Sequence, residues 1–149
     1  MKFVGGIAGA SSEDNMNVAD RAFDNKTGTY WLSGQNEPYP HVIWYDFGNV
    51  WIRPVNMSFE VRAYHNKFVP THFQFVGSNE GCGSDSRWTV LCAATDPQVS
   101  GNVFEGKCQM AAESFKKYRC VGLKIHKVET GTGTAAVCRV RVWHVVRSW

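Results

Sequence analysis

No uninterrupted apolar run in the chain approaches the ~18 residues of a membrane-spanning helix, and helical periodicity is nearly absent. Charge of one sign is scarce too. Sixteen Lys and Arg stand against thirteen Asp and Glu, a net charge of +3 over 149 residues, too weak a balance for a nucleic-acid partner. There is no C-x-x-C and no pair of histidines at metal-ligand spacing, which argues against structural zinc. The nucleophile elbow is missing, since Gly77-Ser78-Asn79 sets its serine one place early. P-loop, H-E-x-x-H and EF-hand patterns are missing as well. Gly131-x-Gly133-x-x-Ala136 has the glycine spacing of a dinucleotide fingerprint, but only thirteen residues follow Ala136. A βαβ unit needs about thirty, so this stretch reads as a glycine hairpin. Enzyme signatures are absent throughout, and the chain reads as a non-enzyme.

What is present is 44% hydrophobic and 13% aromatic residues, a composition that excludes disorder. The length is that of one domain, residues 1–149. The opening MKFVGGIAGASSED breaks into small residues too soon for a signal peptide, which leaves extracellular and cytoplasmic locations both open. Cysteines stand at 82, 92, 108, 120 and 138. An odd number leaves at least one thiol free or paired between chains; the connectivity is not readable, and buried reduced thiols fit as well as disulfides.

Period-two alternation runs through the chain and predicts an all-β fold. From Val55 to Arg62 every odd position is apolar and every even one polar, the pattern of a half-buried antiparallel strand. Thr71–Gly77 repeats it with Phe73 and Phe75 inward, and Arg87–Cys92 with Trp88, Val90 and Cys92 on one face. Val121, Leu123 and Ile125 alternate with Gly122, Lys124 and His126. The last strand sets Cys138, Val140 and Val142 against Arg139, Arg141 and Trp143. His41–Gly48 is more continuously apolar. Turn clusters fall at Asn25–Gly28, Gly34–Pro38, Gly77–Gly81 and Thr130–Thr134, and Met110–Lys117 has room for one helical turn. Phe75 and Trp88 are expected in the core. The five histidines read as solvent-facing or capped, and the sequons at Asn25 and Asn56 as coincidence.

Two loops concentrate aromatic and polar groups. Arg62-Ala63-Tyr64-His65-Asn66-Lys67-Phe68 links two strands, and Trp31-Leu32-Ser33-Gly34-Gln35-Asn36-Glu37-Pro38-Tyr39 is the second. Sugar recognition uses this mixture. A planar ring stacks on the C–H face of a pyranose, and fixed donors and acceptors read its hydroxyls. Trp31 and Tyr39 fit a core or strand-end role equally well.

Ala22-Phe23-Asp24-Asn25-Lys26-Thr27-Gly28-Thr29-Tyr30-Trp31 resembles the A-x-D-G-x-x-x-T-x-W opening of the factor V/VIII type C, or discoidin, domain. Val42–Gly48 resembles that family's W-I-x-V-D-L-G strand, and Phe75–Gly81 followed by Trp88 its V-x-x-S-x-D-G-x-x-W turn. Tyr118–Leu123 and Cys138–Trp143 are similar to its last two strands. The resemblance implies a galactose-binding-like jelly-roll β-sandwich of about eight antiparallel strands, whose members bind glycans, anionic phospholipid surfaces or protein receptors through loops at one end. Carried over by position, it implies a lectin-like module. Arg62, Tyr64, His65 and Asn66 would form the site with Gln35, Asn36 and Tyr39, Arg62 acting as a bidentate donor to vicinal hydroxyls. Weak binding of single sugars would call for a homo-oligomer or tethering.

The family's calcium would fall to Asp24 and Thr29. The closing glutamate of that site aligns with Arg141, which weakens it, and Asn25 replaces a glycine. The terminal disulfide of the blood-clotting and receptor members is missing. The cysteine distribution instead resembles invertebrate single-domain members, and the His and Arg motif of the fucose-binding branch is not found. The alternative readings are a protein-interaction module or a lipid-surface module using Trp31-Leu32 and Lys67-Phe68-Val69.

Overall fold

The computed structural model describes residues 6–26, 28–34, 37–62, 67–83, 87–95, 97–110, 116–129 and 134–146. The strands are β1 (Ile7–Ala10), β2 (Trp31–Leu32), β3 (His41–Asp46), β4 (Ile52–Arg62), β5 (Pro70–Ser78), β6 (Thr89–Thr95), β7 (Gln98–Ser100), β8 (Val103–Gln109), β9 (Cys120–Val128), β10 (Ala136–Val137) and β11 (Arg139–Val146). A 3-10 turn lies at Ala19–Ala22. Pairing is antiparallel throughout the described strands. A five-stranded sheet in the order β1-β3-β9-β5-β6 packs on a four-stranded one, β11-β4-β8-β7, with β10-β2 as a short extra pair. This is the all-β, antiparallel sandwich that the alternation leads one to expect. The one-turn helix expected within Met110–Lys117 falls largely on residues 111–115, outside the described residues.

The alternating residues meet between the sheets. Ile43, Phe73, Phe75, Leu123 and Ile125 from one side face Met57, Phe59, Val61, Val140 and Val142 from the other. Phe59 stands edge-on to Phe73, with ring centroids 4.7 Å apart. Gly106 on β8 makes room for them, since an added Cβ would collide with both rings. Cys92–Cys108 bridges β6 and β8 and so joins the two sheets, while Cys82–Cys120 ties the loop after β5 to the start of β9. Cys138 is the free thiol; it is buried, and burial pushes its pKa up.

Irregular pairings, two of them on β4 and β6, turn the alternation over. Trp143 pairs with Asn56 and His144 with Pro54, so Val55 is an extra residue on β4. Ile52 and Pro54 are buried before the bulge and Met57, Phe59 and Val61 after it, while Val55 is only half-buried. The expected register holds from Met57 onward and fails at Val55, because a bulge advances the chain by one side of the sheet. Leu91 is the second extra residue, between Val90↔Val76 and Cys92↔Phe75. It packs against the core in place of Val90, which is exposed. Phe75 is in the core as expected. Trp88 is not: it lies half-buried, 6.4 Å from Trp44, a contact made outside the inter-sheet core.

Of the two readings of the histidines, solvent-facing or capped, His41 excludes the first. It starts the continuously apolar β3 and is completely buried. Trp31 takes the core alternative: its ring is fully buried and its Nε1 donates to the Ser12 carbonyl at 3.0 Å.

Candidate functional site

The registers His41↔Ile125, Pro70↔Val128 and His72↔Thr95 bring four connections to one end of the sandwich: β2–β3, β4–β5, β6–β7 and β9–β10. All the ligand-binding residues expected from the sequence belong to the first two of these connections or their strand ends. Gln35, Asn36, Tyr64, His65 and Asn66 lie outside the described residues. Arg62 and Tyr39 are described.

Arg62 is the last residue of β4, paired with Val103 of β8. Its backbone N–H donates to Cys138 Sγ at 3.4 Å, and its half-buried side chain borders a cavity of ≈ 520 Å³ on the outer face of the four-stranded sheet, which Glu60, Glu105, Lys107 and Arg139 also line. Tyr39 stands just before β3, its ring centroid 4.6 Å from that of His41. A backbone hydrogen bond from Val128 reaches its phenol, and burial pushes the phenol's pKa up nonetheless. Tyr39 is therefore a neutral, oriented ring. The bases of the loops are tied together. Glu129 N–H donates to the Val69 carbonyl at 3.0 Å. Ser33 and Ala135 exchange two bonds: Ser33 N–H donates to the Ala135 carbonyl at 2.9 Å, and Ala135 N–H to Ser33 Oγ at 2.8 Å. Fixed bases reduce the ordering cost of binding at the loop tips.

The first turn forms a small cluster of oxygen atoms. Thr29 Oγ1 donates to Asp24 Oδ2 at 2.5 Å and lies 3.2 Å from the Arg21 carbonyl. Asp24 Oδ1 accepts the Lys26 N–H at 2.9 Å, and Asn25 takes a positive φ of 59°. Carboxylate, hydroxyl and carbonyl oxygens are the right donors for calcium, which takes about 6–8 of them; these three are a partial set. Arg141 contributes nothing there, because its guanidinium is engaged with Glu60 and Glu105 on β4 and β8. Among the described residues, the group of acidic, His and Cys side chains close enough to share an ion is Asp46 with Cys82 and Cys120, and those two sulfurs are in a disulfide.

The residues expected to serve as lipid-facing spikes are mostly interior. Trp31 and Val69 are buried, and Leu32 and Phe68 are half-buried. The exposed apolar pair Val50-Trp51 belongs instead to the β3–β4 connection, at the opposite end of the sandwich.

Sequence reasoning missed an ion network on the outer face of the four-stranded sheet. Glu60 accepts from Arg139 Nε and Nη2 at 2.8–3.2 Å and from Arg141 Nη2 at 2.6 Å. Arg141 also lies 3.5 Å from Glu105, which pairs with Lys107 at 2.9 Å. Arg141 Cζ sits 5.2 Å from the centre of the exposed Trp143 ring. The visible signal was the Arg139–Arg141–Trp143 alternation. Its partners come from strands distant in sequence.

No protein-family model matches the chain, and no curated protein matches it in sequence. Solved structures do match in fold. One is a family 32 carbohydrate-binding module from Clostridium perfringens NanJ in complex with galactose: 17% identity, 92% of each chain covered, TM-score 0.70. A second family 32 module from Clostridium perfringens, in complex with GalNAc-β-1,3-galactose, is 19% identical over 93% of this chain and 94% of its own, with a TM-score of 0.72. A chitosan-binding module from a Paenibacillus chitosanase/glucanase, in complex with chitotriose, is 17% identical over 95% of this chain and 98% of its own, at a TM-score of 0.70.

Proposed function

We propose that the chain is a non-catalytic carbohydrate-binding module that recognises a glycan through the loops at the Arg62 and Tyr39 end of the sandwich. The observation that carries this reading is the match in fold, over nearly the whole of each chain, to modules solved with galactose and with GalNAc-β-1,3-galactose. The loop end supports it with an aromatic ring held by Val128 and His41 and a guanidinium at the end of β4. In this reading Tyr39 or Tyr64 stacks on the sugar ring. Arg62, His65, Asn66, Gln35 and Asn36 read its hydroxyls.

Calcium, if bound, would be held by Asp24, Thr29 and the Arg21 carbonyl and would brace the first loop. A glycan-array screen in calcium and again in chelator tests both points. Binding to a galactose-type epitope is the expected result, and retention of that binding in chelator would remove the metal from the account. Arg62→Ala should lower affinity for the identified glycan by about tenfold or more, the worth of a charged hydrogen bond, with the melting temperature preserved. Undiminished affinity in that variant overturns the assignment of Arg62.

A further inference from the structure

The registers of β11, β4 and β8 align their outward side chains into rungs across the four-stranded sheet. Trp143, Asn56 and Gln109 form the first rung, Arg141, Ser58 and Lys107 the second, and Arg139, Glu60 and Glu105 the third. Successive rungs are about 7 Å apart, two residues along a strand. The first two rungs and Glu105 line a groove of ≈ 550 Å³. That volume is within the ordinary range for small-ligand sites.

The groove has hydrogen-bonding capacity that the protein leaves unused. Ser58 is 2% exposed, and its hydroxyl has no partner. Arg141 engages the carboxylates only through Nη2, and its shielded Nε is also unpartnered. Unsatisfied polar atoms in a shielded position are costly, and two side by side call for an external acceptor. The charges point the same way. Arg139, Arg141 and Lys107 exceed Glu60 and Glu105 by one positive charge, and two of the three cations stand on the second rung. Next to it, Trp143 is 43% exposed, with the Arg141 guanidinium 5.2 Å from its ring centre.

We propose that this sheet face is a second carbohydrate-binding site, for an acidic saccharide: a pyranose ring lies on Trp143 beside Asn56 and Gln109, and its carboxylate is taken by Ser58, Arg141 and Lys107. The site is built from strands, away from the loop tips, and does not rest on the loop-end reading. A hexuronate ring fits the arrangement because an apolar ring face and an anionic acceptor are required within one rung spacing of each other.

The test is titration of the full chain with a defined oligogalacturonide and with a neutral galacto-oligosaccharide of equal length, followed by calorimetry at low and high salt. Binding of the acidic oligomer should weaken as salt rises, and in Asn66→Ala, where the loop end is disabled, it should be tighter than binding of the neutral one. Trp143→Ala, Ser58→Ala and Arg141→Gln should each weaken it by about tenfold or more, with melting temperatures recorded alongside. Asn66→Ala, on the loop end, should leave it unchanged. Three results overturn the proposal: no binding of the acidic oligomer at millimolar concentration, equal binding of the neutral one in Asn66→Ala, or binding of the acidic oligomer indifferent to both Trp143→Ala and Ser58→Ala. A loop-end glycan lost in Asn66→Ala and kept in Trp143→Ala would show the first site intact whatever happens at the second.

Discussion

On the outer face of the five-stranded sheet, Trp44 is paired with Gly9 on one side and Gly122 on the other, and its indole fills the space a side chain at Gly9 would occupy. A Cβ on Gly9 would fall 2.5 Å from the indole, and one on Gly122 would fall 2.7 Å from the Ile43 carbonyl oxygen. Trp88 flanks Trp44, and the Cys82–Cys120 bridge lies on the same sheet. Among the described residues, the outer face of the four-stranded sheet has no such cover. It carries charged rungs with an exposed indole at one end and a groove along them. Both faces are built by the same alternation, yet one is closed by an aromatic ring on glycine and the other holds ion pairs with donors to spare. The first is shaped for stability, the second for a ligand.

The largest effect is expected at the sealed face. Gly122→Val forces a side chain against the backbone of β3 and should cost about 3 kcal/mol, read as a lower urea midpoint; a loss under about 0.5 kcal/mol would mean that β3 and β9 do not approach as closely as the contrast requires. Glu60→Gln comes next. It leaves Arg139 and Arg141 without the carboxylate they share. Because both guanidiniums are partly exposed, the expected cost is about 2 kcal/mol, below that of breaking a fully buried pair. A neutral result would identify the network as a solvated one.

A smaller effect concerns pH. Burial keeps the pKa of His144 below the ordinary imidazole value, its Nδ1 has no partner, and its ring meets Phe47 edge-on at 5.6 Å. The unfolded chain takes up this proton more readily than the folded one. Stability from this residue is therefore present above about pH 6.5 and is lost as pH falls through that value toward the lower folded pKa. The melting temperature of His144→Phe should fall less over that range than the parent's; parallel curves would remove His144 from the account. The smallest effect on stability is expected from Trp143→Ala, within about 0.5 kcal/mol as for an exposed site. A larger loss would make the indole a structural residue and erase the difference between the two faces.

The strand faces were largely legible. Phe73 and Phe75, Val121, Leu123 and Ile125, and Val140 and Val142 point inward as their alternation predicts, because period two is a property of each strand alone. Val55, Val90 and Trp88 were misplaced because a bulge depends on the partner strand: Val55 and Leu91 are extra residues only in relation to β11 and β5. Local alternation leaves His41 solvent-facing or capped, yet it shares the buried face of β3 with Ile43 and Tyr45. At the candidate site, the sequence brought Arg62 and Tyr39 forward through their loops. It gave no hint that Tyr39 rests on His41 and Val128, contacts made by a neighbouring residue and by a strand far along the chain.

By itself the sequence determined an all-β chain, the inward set of most strands and the two polar, aromatic loops, since each follows from local alternation and local turn chemistry. Tertiary structure decided which cysteines pair, where the register slips, and that Trp143, Asn56 and Gln109 share a rung with Arg141, Ser58 and Lys107 beside it. The reason is that register is a relation between strands. Residues far apart in the chain become neighbours only when β4 lies between β11 and β8, and no segment read alone specifies that order.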